Sequence, residues 1–353
     1  MDTTNREPSI LDVASAATAG PGTVADPRRE RLRRRLGFAA VLACLPYLGL
    51  KLLWVCGANV GVVDRHRVSH GMWVAVNLAT FAMDATAALI AHQMTRPGGP
   101  RVRGLFIVLP MWVASGLLAP IMITVPAQTA VALLGGHNPL AKPDGFLEPW
   151  VYDLVYSGFI VEGVVLLGAF AMYAHDRVGG VLNGQVRAFA RRVPVGVRAV
   201  VAVVAGLLAV TAALRLAWGC GADFGLNARQ ISDMDKASVR PVEAVQGVLA
   251  LVGAGGLTVL WRGRSEVRVR MPLAAAWVGS AAAFGWGGFI GGLGAMVGAD
   301  HRPSALMAAV YVAETVAGVL ALGAGLRALG HKRAVTVTGT AVPAGRLARQ
   351  PRV

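Results

Sequence analysis

The stretch Lys51-Leu-Leu-Trp-Val-Cys-Gly-Ala-Asn-Val-Gly61 recurs later in the chain as Arg215-Leu-Ala-Trp-Gly-Cys-Gly-Ala-Asp-Phe-Gly225. Tryptophan and cysteine are scarce in this sequence, which contains 8 and 3 of them. Chance does not readily return both at one spacing, with a basic residue before them and glycines around them. The recurrence therefore predicts that the chain contains two copies of one structural unit.

A second pair of segments supports the duplication. Trp112-Val-Ala-Ser115 matches Trp277-Val-Gly-Ser280, and each follows the cysteine of its copy at nearly the same distance. A glutamate then occurs in the last apolar run of each copy, Glu162 in the first and Glu314 in the second. Each copy therefore contains four consecutive apolar segments, of which the second pair does not align cleanly.

The composition is that of a membrane protein. Hydrophobic residues make up 55% of the chain, charged residues 15%, and the mean hydropathy is +0.56. Apolar runs near or above the roughly 20 residues that cross a bilayer occur eight times. In lipid every backbone group must be paired within its own segment, so these runs predict helices. Their approximate bounds are Gly37–Cys56, Gly71–His92, Gly104–Val125, Val151–Ala174, Ala199–Trp218, Pro241–Trp261, Met271–Gly298 and Ser304–Leu326.

The predicted fold is an all-α membrane protein with eight transmembrane helices, arranged as a tandem parallel repeat of two four-helix units. Four helices return the chain to its starting side, so both copies have the same orientation, as in transporters built from parallel repeats. The predicted domains are a disordered basic cytoplasmic tail (1–36), the first repeat (37–174), a cytoplasmic linker (175–198), the second repeat (199–326) and a polar cytoplasmic tail (327–353).

The net charge of +15 is explained by orientation. With the N-terminus inside, most of the 34 basic residues fall in the tails and in the loops of the cytoplasmic side, as the positive-inside rule requires. We therefore predict a cell-membrane protein with both termini cytoplasmic. Its predicted partner is the lipid bilayer; no nucleic-acid partner is predicted, and the sequence identifies no protein partner.

Five ionisable residues lie inside the predicted spans, where a charge is costly. These candidates for an ion or substrate pathway are Lys51, Asp84, Glu162, Arg215 and Glu314. The alternative is that they form neutralised pairs that fix helix packing. The depths of the residues predict that at least one copy pairs its basic residue with a buried carboxylate. Arg215 with Glu314 is the first choice, and Lys51 with Asp84 or Glu162 the second. Asp153 and Glu243 lie at span ends, within reach of headgroups, and are set aside.

The cysteines carry a separate prediction. Cys56 and Cys220 end equivalent helices on the outer side, where disulfides persist, so a Cys56–Cys220 bridge is feasible if those two helices meet near the axis between the copies. Cys44 lies within a span and is predicted to be a small apolar residue.

No catalytic residue, cofactor or metal is predicted. His66 and His70 are four residues apart but lack a fixed third ligand. Ser115 and Ser280 lack the flanking glycines of a nucleophile elbow. The glycines of the seventh span include the pairs Gly287–Gly291 and Gly288–Gly292, whose spacing favours close helix packing inside the monomer.

The two Lys/Arg-x-x-Trp segments, each closed by small residues, resemble those of uncharacterised multi-pass membrane proteins of actinobacteria. The resemblance implies a cell-membrane location and no activity. From the residues themselves we predict a transporter or permease-like protein with a polar site between helices, and not an enzyme. The alternative is a non-catalytic membrane scaffold or a partner subunit of a cell-envelope complex.

Overall fold

The computed structural model describes residues 27–64, 69–95, 104–134, 146–235, 239–292 and 302–338. These residues form helices joined by turns, with two isolated antiparallel bridges, Val62 to Leu147 and Gln185 to Arg268. The helices are α1 (Pro27–Val55), α2 (His70–Thr95), α3 (Leu105–Leu133), α4 (Pro149–Leu182), α5 (Val186–Ala190), α6 (Val195–Gly219), α7 (Ala228–Met234), α8 (Val239–Arg262), α9 (Arg270–Ala282) and α10 (Ala305–Thr338).

Within the part of the chain that the structure describes, seven helices are long and apolar enough to cross a membrane, namely α1 to α4, α6, α8 and α10. Helix α9 has 13 residues and continues without a break as a π-helix, Ala283–Ile290. Large apolar side chains on these helices face outward, among them Phe38, Leu89, Phe106, Val210 and Val312. A surface of this kind requires an apolar solvent, so the chain is a multi-pass membrane protein.

The membrane helices form two halves, each with its own packing. In the first half α1 packs against α2 and α4, and α3 packs against α4; in the second half α6 packs against α8 and α10, and α8 packs against α9. Each half has its own clusters of buried apolar side chains. The halves meet where α3 packs against α9.

The repeated sequence motif folds into the same turn in both halves. Two residues after the end of α1, Gly57 has φ +93° and its amide donates to the carbonyl of Trp54, while the amide of Ala58 donates to the carbonyl of Leu53. Two residues after the end of α6, Gly221 has φ +107°, and the same two bonds occur there, shifted by 164 positions in the numbering. Both ends are Schellman caps, which need a residue in the left-handed region and therefore favour glycine.

A second glycine in each copy positions the next contact. Gly61 and Gly225 also have positive φ values, and a side chain at either would overlap a residue at the start of a later helix. That residue is Val151 in the first turn of α4 for Gly61 and Leu306 in the first turn of α10 for Gly225. The loop after α1 thus packs against α4, which contains Glu162. The loop after α6 packs in the same way against α10, which contains Glu314.

Three predicted boundaries differ from the structure. Helix α1 begins at Pro27, inside the predicted tail 1–36, and residues 1–26 lie outside the described residues. Helix α4 runs on to Leu182, into the predicted linker, and α10 runs on to Thr338, into the predicted C-terminal tail. Polar residues continue a helix beyond the apolar core of a bilayer at little cost, so hydropathy places the spans but not the helix ends.

Candidate functional site

The contact between the two halves is reciprocal. The indole nitrogen of Trp112 on α3 donates to the hydroxyl of Ser280 on α9 at 3.3 Å. The indole nitrogen of Trp277 on α9 donates to the hydroxyl of Ser115 on α3 at 3.0 Å. These are the same two positions of the duplicated Trp-x-x-Ser segment, exchanged between the halves. Trp112 contacts Ser280, and the two matching residues, Trp277 and Ser115, contact each other in the same way. An interface with such paired contacts has two-fold character.

Small residues allow this contact. A side chain at Gly116 would overlap the backbone carbonyl of Ala281, so the two helices touch backbone to backbone at that level. In the aligned copies Gly116 and Ala281 are the residues that follow Ser115 and Ser280. Trp286 of the π-helix adds a hydrogen bond to the carbonyl of Leu117 at 2.9 Å. The interface is therefore close, and its polar groups are satisfied by partners in the other half.

The second half contains a closed cluster of three charged residues. Arg215 on α6 donates from Nε and Nη2 to the two carboxylate oxygens of Glu314 on α10, at 2.6 and 2.7 Å. Its Nη1 donates to Glu243 on α8 at 2.6 Å. All three residues are buried. Bidentate bonds of this kind fix the guanidinium in one orientation, so Arg215 ties three membrane helices together.

Glycines in the π-helix and directly after it make room for this cluster. A side chain at Gly287 would overlap the carboxylate of Glu314, and one at Gly291 would overlap the ring of Tyr311. The Arg215 guanidinium lies 5.7 Å from the centre of that ring, within cation–π range. The predicted packing role of the glycine pairs in this segment is thus confirmed at Gly287 and Gly291.

The first half contains an open version of the same cluster. Lys51 on α1 is almost completely buried, and its Nζ donates to Asp84 on α2 at 2.5 Å. The Lys51 ammonium also lies 3.8 Å from the centre of the Tyr47 ring. One basic residue on the first helix therefore meets an acid on the second helix, as Arg215 meets Glu243 in the second half.

Glu162 is the third member of the first-half cluster, and it differs from Glu314. It is buried on α4, with 5% of its surface exposed. Among the described residues Lys51 forms its salt bridge with Asp84, and Glu162 takes part in none. Cys44, on the neighbouring helix α1, is buried and free, as the sequence predicted.

The structure brings the predicted site residues together as two clusters rather than one. The predicted pairs Arg215–Glu314 and Lys51–Asp84 are confirmed. Glu243 was missed because it lies near the start of a span, where a side chain can reach the headgroups. Asp153, which was set aside for the same reason, is exposed. The signal that could have found Glu243 is the occurrence of an acid on the second helix of each copy.

The predicted Cys56–Cys220 disulfide is not formed. Both cysteines are free and exposed. The prediction required the helices that carry them to meet between the two copies, but α1 and α6 pack mainly within their own halves and the halves meet through α3 and α9.

A cavity of about 340 Å³ lies away from both clusters, between the start of α1 and the end of α2. It is lined by Arg34, Gly37, Phe38, Val41 and His92. Within the described ranges, no three His, Cys, Asp or Glu residues are grouped so that they could hold a metal ion.

Comparisons of the chain with protein-family models, with curated proteins and with solved structures gave no match.

Proposed function

We propose that the chain is an eight-helix protein of the cell membrane, built as two parallel four-helix repeats, with both termini in the cytoplasm. In this proposal α9 and its π-helical continuation form the eighth crossing. Three observations support the repeat: the matching Schellman caps at Gly57 and Gly221, the reciprocal bonds between the Trp-x-x-Ser segments, and a charge cluster on corresponding helices of each half. The distribution of basic residues supports the orientation.

The function that the geometry favours is transport of a cation, or of a solute together with a proton, through the first repeat. Glu162 carries this proposal, because it is a buried carboxyl group that shares no salt bridge with a described residue. Lys51 neutralises one of the two acids of its cluster and leaves the other uncompensated. A carboxylate within a bilayer is too costly to persist alone, so it binds a proton or a cation.

The contrast with the second repeat supports the same assignment. There Arg215 bonds to both acids at once, and these bonds hold α6, α8 and α10 in a fixed arrangement. In the first repeat the lysine binds one acid through a single nitrogen, which leaves Glu162 able to exchange its ligand. We therefore assign ion exchange to Lys51, Asp84 and Glu162, and a structural role to Arg215, Glu243 and Glu314.

Proton and cation flux through the purified protein in liposomes tests this function. Vesicles containing a pH-sensitive dye, with a potassium gradient and valinomycin to set the potential, should acidify or alkalinise faster with protein than without it. Glu162→Gln should abolish the difference, because the amide cannot exchange a proton. Asp153→Asn, an exposed acid of the same helix, should leave the flux unchanged. Sodium and potassium indicators in the same vesicles identify a cation other than the proton.

A scaffold role is the second candidate, and the closed second cluster favours it. Salt-bridged charges and a close α3–α9 contact are expected of a protein that holds a fixed shape in the membrane. This candidate predicts vesicles without flux for any of the tested ions. It also predicts that Glu162→Gln leaves cellular function intact while changes at Arg215 remove it by unfolding the second half.

A further inference from the structure

The cavity between α1 and α2 lies at the level where these helices leave the membrane. Arg34 is the first residue of the membrane segment of α1, and His92 lies two residues before the last residue of the membrane segment of α2. Two basic residues thus come together at one end of the bundle, which is the cytoplasmic end in the proposed orientation.

The remaining wall of the cavity is apolar and faces outward. Phe38 is one turn deeper than Arg34 and has 67% of its surface exposed, and Val41 lies nearly one turn deeper again. Gly37 has no side chain to fill the space between them. A ligand of this cavity therefore meets positive charge at its membrane-surface end and hydrocarbon below it.

We propose that this cavity binds the headgroup of an anionic phospholipid, with its phosphate at Arg34 and His92 and the start of an acyl chain along Phe38 and Val41. Arginine presents paired donors that fit phosphate oxygens, and basic pockets between membrane helices on the cytoplasmic side bind anionic headgroups. A soluble phosphate would match the basic end alone, whereas a phospholipid matches both ends. The proposal is independent of the transport function, because it involves neither charge cluster.

Native mass spectrometry of the detergent-purified full chain, titrated with phosphatidylglycerol, tests the site. Phosphatidylcholine with the same acyl chains and inorganic phosphate serve as comparison ligands. Phosphatidylglycerol should bind more tightly than either. Because one lysine or arginine near an anionic headgroup strengthens binding about fivefold, Arg34→Gln should weaken it by about that factor. His92→Gln, which removes the imidazole from the same end of the cavity, should also weaken it. Arg35→Gln removes the same charge from the next residue, which is exposed and outside the cavity, and should leave binding unchanged.

Three outcomes would overturn the proposal. Equal binding of the two phospholipids would show that the headgroup charge is not recognised. An equal loss in Arg34→Gln and Arg35→Gln would show that the basic surface attracts lipid without a defined site. Displacement of the lipid by an equal concentration of inorganic phosphate would assign the site to a soluble anion. The unfolding temperatures of the three variants, measured without added lipid, exclude unfolding as the cause of a loss.

Discussion

Arg215 is the residue on which three membrane helices converge, and its loss should have a larger effect than the loss of either of its partners. Arg215→Gln leaves Glu243 and Glu314 buried without a cation, and breaking a buried ion pair costs about 3–5 kcal/mol. Glu314→Gln still leaves the Arg215–Glu243 pair compensated, so it should destabilise less. The unfolding temperature in detergent and the folded yield measure both effects.

A neutral triple variant separates charge from packing. Arg215→Gln combined with Glu243→Gln and Glu314→Gln buries no charge, so it should recover part of the stability lost in Arg215→Gln. A triple variant less stable than Arg215→Gln would contradict the assignment of the cluster as a unit held together by its ion pairs. Arg302→Gln, at an exposed arginine, is the control for the loss of a positive charge.

At this scale the sequence predicted the charged residues better than their connections. Lys51, Arg215 and Glu314 stand out because charges are rare inside apolar runs. Which acid each basic residue contacts depends on how each helix is rotated about its own axis. An apolar run without a polar face does not indicate which side of the helix faces its neighbours. Glu243 was misjudged for that reason, since its role arises only from contacts between helices.

At the scale of helices, the packing of α3 against α9 joins the two halves of the molecule. Gly116→Val would place a branched side chain where the carbonyl of Ala281 lies, and overpacking of this kind costs about 1–3 kcal/mol. The unfolding temperature in detergent should fall accordingly. Gly206→Val on α6 is the matched control, because no atom lies within 4 Å of the added Cβ position. An equal loss in both variants would show that the effect comes from helix propensity and not from the interface.

The apolar runs predicted the membrane elements to within a few residues in most cases. The start of α2 at His70 and the end of α6 at Gly219 lie within one residue of the predicted bounds. The π-helix from Ala283 to Ile290 was not predicted, because its hydrogen-bond pattern leaves no trace in hydropathy. The duplicated Trp-x-x-Ser segments did contain the signal for the interface, but only the structure shows that each tryptophan bonds to the serine of the other copy.

The orientation of the whole molecule can be tested with its own cysteines. Cys56 and Cys220 are exposed at the same end of the bundle in the proposed architecture, and Cys44 is buried. A membrane-impermeant maleimide should therefore label single-cysteine variants that retain Cys56 or Cys220 in intact cells. The variant that retains only Cys44 should stay unlabelled until the protein is unfolded. Labelling of Cys56 and Cys220 confined to inside-out vesicles would reverse the proposed topology.

The reciprocal bonds between Trp112 and Ser280 and between Trp277 and Ser115 describe a surface that is complementary to itself. In the proposed repeat architecture, two separate four-helix chains could use that surface to form a symmetric homodimer. Fusion of two such genes head to tail would need only a short cytoplasmic connection, because four crossings bring the first chain back to the side where the second begins. Once joined, the two copies could acquire different sequences, so that one kept an arginine holding both acids and the other a lysine holding one.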